Sequence, residues 1–329
     1  MAVYLLRRIA GLIVVLWVTT IIVFLLQAVI PADPARALTG PAAPAATVEA
    51  VRDQLGLNDP LPAQYARFLK GVLHGDLGTS IRTRQPVTDD LLRYLPASLE
   101  LVVTSLILGI LMALAFAIAM TLARRTAPIR LVMLTAGSLP IFLSAMLLVY
   151  VFWFQLDWLP GAGRIGIRRF AGPTGFMVLD GILLGRPEVV VSALRHLVLP
   201  SIAMALPLAV ALGRSLASAL HDVLDQPYIE TARGKGLSDF RTIVRHGLRN
   251  AASAPLSMLG LLLGLIFGNL LVVERIFAWP GLGLYMVQSF ASSDLPAVLG
   301  VALVFGAFYI LFNLMIEMLQ AVADPRIEL

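Results

Sequence analysis

The residues of this chain that are best spaced for recognising another protein lie between Tyr228 and Leu248, in the segment YIETARGKGLSDFRTIVRHGL. Pro227, just before it, suits the first turn of a helix, and Glu230 complements the positive end of that helix dipole. Gly236 can take the left-handed conformation that ends a helix, and Ser238 can cap the next one. The spacing predicts two short helices that meet at a glycine elbow.

The second of these helices is predicted to be amphipathic. Its apolar face would consist of Phe240, Ile243, Val244, Gly247 and Leu248. Its other face would carry basic side chains every four residues, at Arg241, Arg245 and Arg249. Two interpretations are open, a docking surface for a partner protein and a basic loop that rests on anionic lipid. A capped elbow with an acid and small residues exceeds what lipid binding requires, so the pattern favours a partner.

Patterns typical of enzymes and cofactor sites are missing from the sequence. It contains no H-E-x-x-H, no G-x-S-x-G and no cysteine. Its histidines are dispersed, at His74, His196, His221 and His246. Gly234 and Lys235 lack the earlier glycine and the following hydroxyl residue of a phosphate-binding loop. We therefore expect no catalytic residue, no metal and no cofactor on this chain, and no ATP hydrolysis by it.

The composition predicts a membrane protein. Of the 329 residues, 59% are apolar and 14% are charged, whereas a soluble domain carries roughly a quarter charged residues. A hydrocarbon core about 30 Å thick requires about 20 residues of apolar helix. Six stretches meet that length and predict an all-α integral membrane protein with six transmembrane helices: Ile9–Ile30, Ser98–Ala123, Leu131–Phe154, Leu197–Ala219, Leu256–Val273 and Leu299–Val322.

The basic residues predict the orientation of the chain in a bacterial inner membrane. Cytoplasmic loops are enriched in lysine and arginine. This places both termini in the cytoplasm, together with Arg7, Arg8, Arg124, Arg125, Arg130 and the cluster from Arg233 to Arg249. The segments 31–97 and 158–195 would then lie outside. The second is an exception to the rule, because it carries Arg164, Arg168, Arg169, Arg186 and Arg195.

The predicted spans divide the chain into three parts. Residues 1–30 hold the N-terminus and the first transmembrane helix, and residues 31–97 form an extracytoplasmic loop or cap. Residues 98–329 form a transmembrane core of five helices, which includes a cytoplasmic coupling loop over residues 220–252.

Two short amphipathic helices are predicted in the cap. Thr47 can cap the first, which Gly56 would end, and Pro62 can start the second. Their apolar faces would consist of Val48, Val51 and Leu55 in the first helix and of Tyr65, Phe68, Leu69 and Val72 in the second.

Small and polar residues mark the interior of the predicted spans. The fifth span carries Gly260, Gly264 and Gly268 on one face, where small residues let another helix approach closely, so we predict a packing seam. Asn269 and Asn313 are candidate residues of a transport pathway. We find no carboxylate near the middle of a span, which argues against an ion-driven transporter.

Prolines interrupt the third and fourth spans, at Pro140, Pro200 and Pro207. Proline removes a backbone donor and kinks a helix. Two interpretations are open here, a polar-lined path and the ordinary packing of kinked helices.

The elbow segment resembles a family. Inner-membrane subunits of ATP-binding-cassette importers carry the signature E-A-A-x3-G-x9-I-x-L-P between late spans. The matching positions here are Glu230, Thr231, Ala232, Gly236, His246, Leu248 and Arg249. The first part of the signature fits, with Thr231 in place of an alanine. Its end survives only as Leu248, as is usual in the peptide-permease branch.

The resemblance to that branch covers nearly the whole chain. It includes YLLRRIAGL and IPADPA near the N-terminus, GLNDPLPAQYARFL and HGDLGTSIRTRQPV in the first loop, and LPASLELV at the second span. It continues with LRHLVLPSIAMALP at the fourth span, ERIFAWPGLG after the fifth and ADPRIEL at the end. Together these segments resemble the subunit of this branch that carries the long first outer loop.

The resemblance implies a permease subunit of a dipeptide or oligopeptide importer, or of a relative for glutathione or nickel complexes. Its partners would be a homologous second permease, two cytoplasmic subunits that bind ATP and magnesium, and an extracytoplasmic substrate-binding protein. The coupling contact with the ATP-binding subunits would involve Tyr228, Glu230, Thr231, Ala232, Lys235, Gly236, Leu237 and Ser238. The alternatives from other classes are a stand-alone secondary transporter or channel and a membrane-embedded enzyme.

Overall fold

A computed structural model of the chain describes residues 2–29, 34–40, 42–54, 56–123, 126–168 and 170–323. These residues form helices joined by turns and, within those ranges, a single isolated antiparallel bridge between Thr79 and Pro86. The helices are α1 (Ala2–Val29), α2 (Pro34–Thr39), α3 (Ala45–Gln54), α4 (Leu61–Leu73), α5 (Val87–Leu122), α6 (Ala127–Ser138), α7 (Ile141–Leu148), α8 (Met177–Leu183), α9 (Pro187–Leu224), α10 (Pro227–Gly234), α11 (Asp239–Thr242), α12 (Leu248–Ala251), α13 (Ser253–Ile276), α14 (Leu282–Ala291) and α15 (Leu295–Ala323). Two π-helical segments, Val149–Gln155 and Ile243–Gly247, continue α7 and α11.

Four helices within the described residues are long and apolar enough to cross a membrane. They are α5, α9, α13 and the part of α15 from Leu295 to Ala321, and they contain the predicted second, fourth, fifth and sixth spans with small shifts at the ends. The first predicted span falls on α1, in which Ile13–Ile22 forms an apolar segment. The end of that span, Ile30, lies outside the described residues.

The predicted third span is interrupted at Pro140, as the sequence suggests, and the bend there is sharp. The α6 helix and the helix from Ile141 to Gln155 meet at 106°. Pro140 lies at the break with φ −57° and ψ 142°, and Leu139 before it is extended. A proline ring disfavours helical geometry in the preceding residue, which explains why the helix stops here. With this bent pair counted as one, the described residues provide up to five spans.

The two helices predicted in the first loop are present as α3 and α4. Contrary to the prediction, α3 begins at Ala45, so Thr47 lies in its first turn and does not cap it. Gly56 has φ +63° after α3, and Pro62 lies in the first turn of α4. Leu55 lies outside the described residues.

The predicted apolar face of α4 packs on α1. The rings of Tyr65 and Phe68 lie 5.3 and 5.9 Å from the ring of Phe24. Thr20, on the same helix as Phe24, lies within hydrogen-bond distance of the Tyr65 hydroxyl, at 3.0 Å. The aromatic contacts therefore hold α4 against the first apolar helix.

The first of two compact units comprises Met1–Leu95 with Leu282–Phe308. A buried apolar cluster forms its core, with Val87, Leu91, Leu282, Tyr285, Ala297 and Val301. The buried Asp294 fixes the segment before α5 by accepting hydrogen bonds from the Ser80 hydroxyl and the Arg82 amide. The buried Asp90, on α5, accepts a hydrogen bond from the Tyr285 hydroxyl of α14 at 2.9 Å. Burial is the main cause that raises the pKa of the Tyr285 phenol above its usual range, so the phenol stays a donor.

The second unit comprises Pro96–Gly281 with Tyr309–Leu329 and is organised around α9. This helix contacts α6, α7, α8, α12 and α13, and α13 packs in turn on α7. It continues through Pro200 and Pro207 without a break, and Pro200 is buried. The prolines of the fourth span thus lie within a continuous packed helix, unlike Pro140.

A buried polar network ties the loops of the second unit to its helices. Arg164 donates two hydrogen bonds to Glu100, at 2.9 and 2.5 Å, and its guanidinium lies 5.8 Å from the centre of the Trp279 ring. The indole of Trp279 donates to the Ala97 carbonyl at 2.9 Å. Glu274, fully buried, accepts a hydrogen bond from the Ser98 hydroxyl at 2.6 Å.

The sequence patterns assign no role to Glu100 or Glu274. Glu100 lies near the start of the predicted second span, and Glu274 directly follows the predicted fifth span. Their partners lie 64 and 176 residues away along the chain, so no local pattern reveals them. A buried charge is costly unless it is paired, and these pairs therefore hold the loops in one arrangement.

The arginines that break the orientation rule are used structurally. Arg164 pairs with Glu100, Arg186 pairs with Glu188 at 2.8 Å, and Arg195 donates to the Trp158 carbonyl at 2.8 Å. Arg168 is exposed, and Arg169 lies outside the described residues.

Substitutions at two glycines test how tightly the residues around Glu274 are packed. A Cβ on Gly281 would overlap the Glu274 carboxylate and lie 2.5 Å from the Ser98 hydroxyl, whereas a Cβ on Gly268 would meet nothing within 4 Å. We expect Gly281→Ala to cost about 1–3 kcal/mol of stability and Gly268→Ala to be neutral or stabilising by up to about 1 kcal/mol. Thermal unfolding of both purified variants in detergent checks this, and equal melting temperatures would contradict the packing described.

Candidate functional site

The first helix of the elbow begins as its sequence predicts. Gln226 is extended, with φ −78° and ψ 144°, and Pro227 lies in the first turn of α10. Proline fits there because the first amides of a helix have no partner within it. Glu230, also in the first turn, is exposed and places a negative charge at the positive end of the helix.

The turn after α10 is a Schellman motif centred on Gly236. This glycine has φ +85°, its amide donates to the Arg233 carbonyl at 2.9 Å, and the Leu237 amide donates to the Ala232 carbonyl at 3.3 Å. These two bonds satisfy carbonyls that the end of a helix leaves free. The left-handed conformation predicted for Gly236 is therefore present, and a Cβ there would meet nothing within 4 Å.

Ser238 caps the second helix, as predicted. Its hydroxyl accepts a hydrogen bond from the Arg241 amide at 3.5 Å, and α11 begins at Asp239. Across the elbow, the Arg233 side chain donates to the Asp239 carboxylate at 3.2 Å. Both side chains of that pair are exposed, so it adds little to stability.

The elbow is anchored to the bundle by an apolar cluster, which we call the elbow anchor. From the elbow side it contains Ile229, Ile243 and Ala251, and it also includes Leu216, Leu220 and Leu224 of α9 and Ala117 of α5. Gly247 allows close approach, since a Cβ there would lie 3.0 Å from the Leu220 side chain. The elbow therefore packs directly against the C-terminal end of α9.

The predicted apolar face of the second helix is partly wrong. Ile243 is 2% exposed and Gly247 is buried, but Phe240 and Val244 are 56% and 44% exposed. The residues from Ile243 to Gly247 form a π turn, with hydrogen bonds to the fifth residue back. The period of 3.6 residues assumed from the sequence does not hold across such a turn, so the buried face shifts.

The residues predicted to make the coupling contact fall into two groups. Most are exposed, namely Tyr228, Glu230, Thr231, Lys235, Gly236 and Ser238. Leu237 is half-buried, and Ala232 is buried at 9% exposure. We define the elbow surface as these six exposed residues with Phe240 and Val244. It combines apolar side chains with charges of both signs, a composition suited to contact with a protein.

Two of the three predicted packing glycines of α13 lie against residues of α15. A Cβ on Gly260 would lie 3.1 Å from the Asn313 side chain, and one on Gly264 would lie 3.5 Å from the Tyr309 ring. Gly268 is exposed, and a Cβ there would meet nothing within 4 Å.

The two candidate pathway asparagines are not brought together. Asn313 is half-buried and donates to the Tyr309 carbonyl at 3.0 Å, beside Gly260. Asn269 is also half-buried and lies nine residues after Gly260 on α13, a distance of about 13.5 Å along the helix at 1.5 Å per residue. They do not form one polar site. Within the part of the chain that the structure describes, no group of three or more potential ligands could hold a metal ion.

Comparison with known proteins gives matches over the whole chain. The model of a family described as the inner membrane component of binding-protein-dependent transport systems matches residues 105–329. The model of the N-terminal part of such membrane components matches residues 1–102.

The similar proteins are permeases. The probable D,D-dipeptide transport system permease protein of Escherichia coli K12 is 38% identical over 326 residues, which cover 98% of this chain and 96% of that protein. The glutathione transport system permease protein of Salmonella paratyphi A is 37% identical over 329 residues, which cover 99% of this chain and 98% of that protein. The protein of the same name from Escherichia coli K12 is 34% identical, with the same coverage.

Two neighbouring residues test the anchored orientation of the elbow. Ile243 is buried in the elbow anchor and Val244 is exposed. Truncation of a buried isoleucine to alanine costs about 2–5 kcal/mol, so Ile243→Ala should speed hydrogen exchange of the amides in 227–251. Val244→Ala should leave that exchange nearly unchanged. Equal hydrogen-exchange rates in the two variants would contradict the description of Ile243 as buried and Val244 as exposed.

Proposed function

The chain belongs to the family of inner membrane components of binding-protein-dependent transport systems, and we propose that it transports peptides and is driven through the elbow. The membership confirms the predicted resemblance to importer permeases, the all-α integral membrane class and the permease function. Peptides are supported by the names of two relatives, which transport D,D-dipeptides and glutathione. Glutathione is the second candidate substrate, favoured by the relatives of that name.

The proposed assembly divides the work among several subunits. A homologous second permease would complete the path, and two cytoplasmic subunits would bind and hydrolyse ATP with magnesium. An extracytoplasmic binding protein would deliver the substrate, and dependence on such a protein is part of the family description. This chain would bind no cofactor of its own.

The observation that carries the coupling role is the elbow anchor. Ile229 and Ile243 pack with Leu220 and Leu224, so a force on the elbow acts directly on the end of α9. Because α9 contacts most helices of its unit, its displacement would shift them together. ATP can drive such a change only if the contact at the elbow surface differs in free energy between the two states of the transporter.

We propose that the chain is divided into an outer cap, a transmembrane core and a coupling loop. Residues 31–97 would form the outer cap, residues 98–329 the transmembrane core, and residues 220–252 the coupling loop. Asn269 and Asn313 would contribute separately to the path. Gly260 and Gly264 would serve packing within the chain, and the exposed Gly268 would be free to face a second subunit.

The length of α9 supports the proposed orientation of the chain in the membrane. This helix is 38 residues long, about 57 Å at 1.5 Å per residue, which exceeds the hydrocarbon core. The loop before Pro187 and the elbow after Leu224 would therefore lie on opposite sides of the membrane. With the elbow in the cytoplasm, both termini would be cytoplasmic too.

Cysteine labelling tests this orientation, since the chain has no native cysteine. Gln85→Cys, in the first loop, should react with an impermeant thiol reagent added to the outside of spheroplasts. Ser238→Cys should react only after the membrane is opened. Both positions are exposed, so the reverse pattern would invert the proposed topology.

The coupling role is tested at Gly236 and Glu230. Gly236→Val places a β-branched residue in a left-handed conformation, at a cost on the order of 1–2 kcal/mol or more, although its side chain meets nothing. Glu230→Lys puts a positive charge at the positive end of a helix. Both variants should reach the membrane at normal levels but lose peptide uptake, through weaker association with the ATP-binding subunits or hydrolysis no longer linked to substrate.

Two variants serve as controls for this test. Ser218→Val, at an exposed position on α9 before the elbow, should transport normally. Gly234→Val adds the same bulk two residues before Gly236, at a site without positive φ or near neighbours, and so separates backbone strain from added volume. Wild-type uptake by both Gly236→Val and Glu230→Lys would eliminate the coupling role.

A further inference from the structure

A cavity of about 710 Å³ opens beside the end of α9 that lies opposite the elbow. Its walls come from the segment that ends the bent third span and from the first turns of α9. The polar and aromatic side chains that line it include Trp153, Asp157, Trp158, Glu188, Arg195 and His196. The volume lies within the roughly 300–1,000 Å³ of small-molecule sites.

One wall of the cavity is cationic. Arg195 donates one N–H to the Trp158 carbonyl at 2.8 Å, which fixes its guanidinium. Among the described residues no carboxylate forms an ion pair with Arg195, and Glu188, which also lines the cavity, pairs with Arg186 at 2.8 Å. The remaining N–H groups of Arg195 are therefore available to a ligand. A guanidinium of this kind matches the oxygens of a phosphate.

The cavity also offers hydrogen-bond acceptors. His196 Nδ1 lies 2.7 Å from the Ser192 carbonyl. A carbonyl can only accept, so Nδ1 carries a hydrogen, and in the neutral form of the ring Nε2 is an acceptor. Asp157, with φ +49°, adds an exposed carboxylate. These acceptors match an ammonium group that still has N–H donors, and the tryptophan faces also attract cations.

The position of the cavity identifies the source of such a ligand. Trp153 and Trp158 are half-exposed, and tryptophan concentrates at the boundary between membrane and water. The cavity-lining part of α9 ends at His196, one residue before the apolar span predicted from Leu197. Phe154 beside the cavity and Val191 on its wall are exposed apolar residues, which suits the acyl chains of a lipid.

We propose that this cavity binds the phosphoethanolamine headgroup of a membrane phospholipid. The phosphate would contact Arg195, and the primary ammonium would donate to Asp157 and His196. Phosphatidylcholine would bind less well, because its quaternary ammonium has no N–H for these acceptors. Phosphatidylglycerol would lack the ammonium altogether. The bound lipid would hold the outer end of the bent span against α9.

Native mass spectrometry of the purified full-length chain in mild detergent tests the site. With equal amounts of phosphatidylethanolamine, phosphatidylcholine and phosphatidylglycerol added, the first should bind roughly tenfold or more tightly, as expected for one lost hydrogen bond to a charged group. Arg195→Gln should weaken that binding to a similar extent. Asp157→Asn should also weaken it, and asparagine tolerates the left-handed backbone at that position.

Arg168→Gln is the matched control, since Arg168 is an exposed arginine of the loop before α8 that does not line the cavity. Equal binding of the three lipids by the unchanged protein would overturn the proposal, without reference to any variant. So would equal lipid binding by Arg195→Gln and Arg168→Gln. A dipeptide zwitterion that displaces the lipid at similar concentration would identify peptide as the ligand instead and would also refute it.

Discussion

The elbow anchor is the interaction on which the functional account depends. It joins two short helices to the end of α9 through buried aliphatic side chains, with Ile243 beneath the elbow and Leu220 on α9. Short isolated helices are marginal in water, so without this burial the elbow would have no fixed shape. With it, the Schellman turn at Gly236 and the cap at Ser238 set the angle at which the elbow surface is presented.

At the other end of α9, Val189 and Ala193 are buried, and the loop that contacts this end through Ser192 also uses buried charge. The Glu100–Arg164 pair and the buried Glu274 hold the loops that flank Trp279. Breaking such a pair leaves an uncompensated buried charge, which is strongly unfavourable. The apolar anchor thus fixes the elbow to α9, and the polar network fixes the loops of the same unit to its other helices.

Sequence patterns predict the features that local chemistry determines. The proline start of α10, the left-handed Gly236 and the Ser238 cap each depend on residues close in the chain, and each is present. The π turn at Ile243 and the sharpness of the bend at Pro140 are beyond such patterns. A π turn depends on packing against α9, and Pro140 breaks its helix while Pro200 does not. The pairing of Glu100 with Arg164 spans 64 residues, and no local spacing encodes it.

The central claim is that the elbow and the end of α9 move together when ATP binds. Spin labels at Arg241→Cys and Ser218→Cys, both exposed positions outside the elbow surface, report the distance between them in the assembled transporter by pulsed electron paramagnetic resonance. We expect this distance to be the same with and without ATP, while the distance from Arg241→Cys to a label on the coupling loop of the second permease changes. A change within the chain, or no change between the subunits, would contradict it.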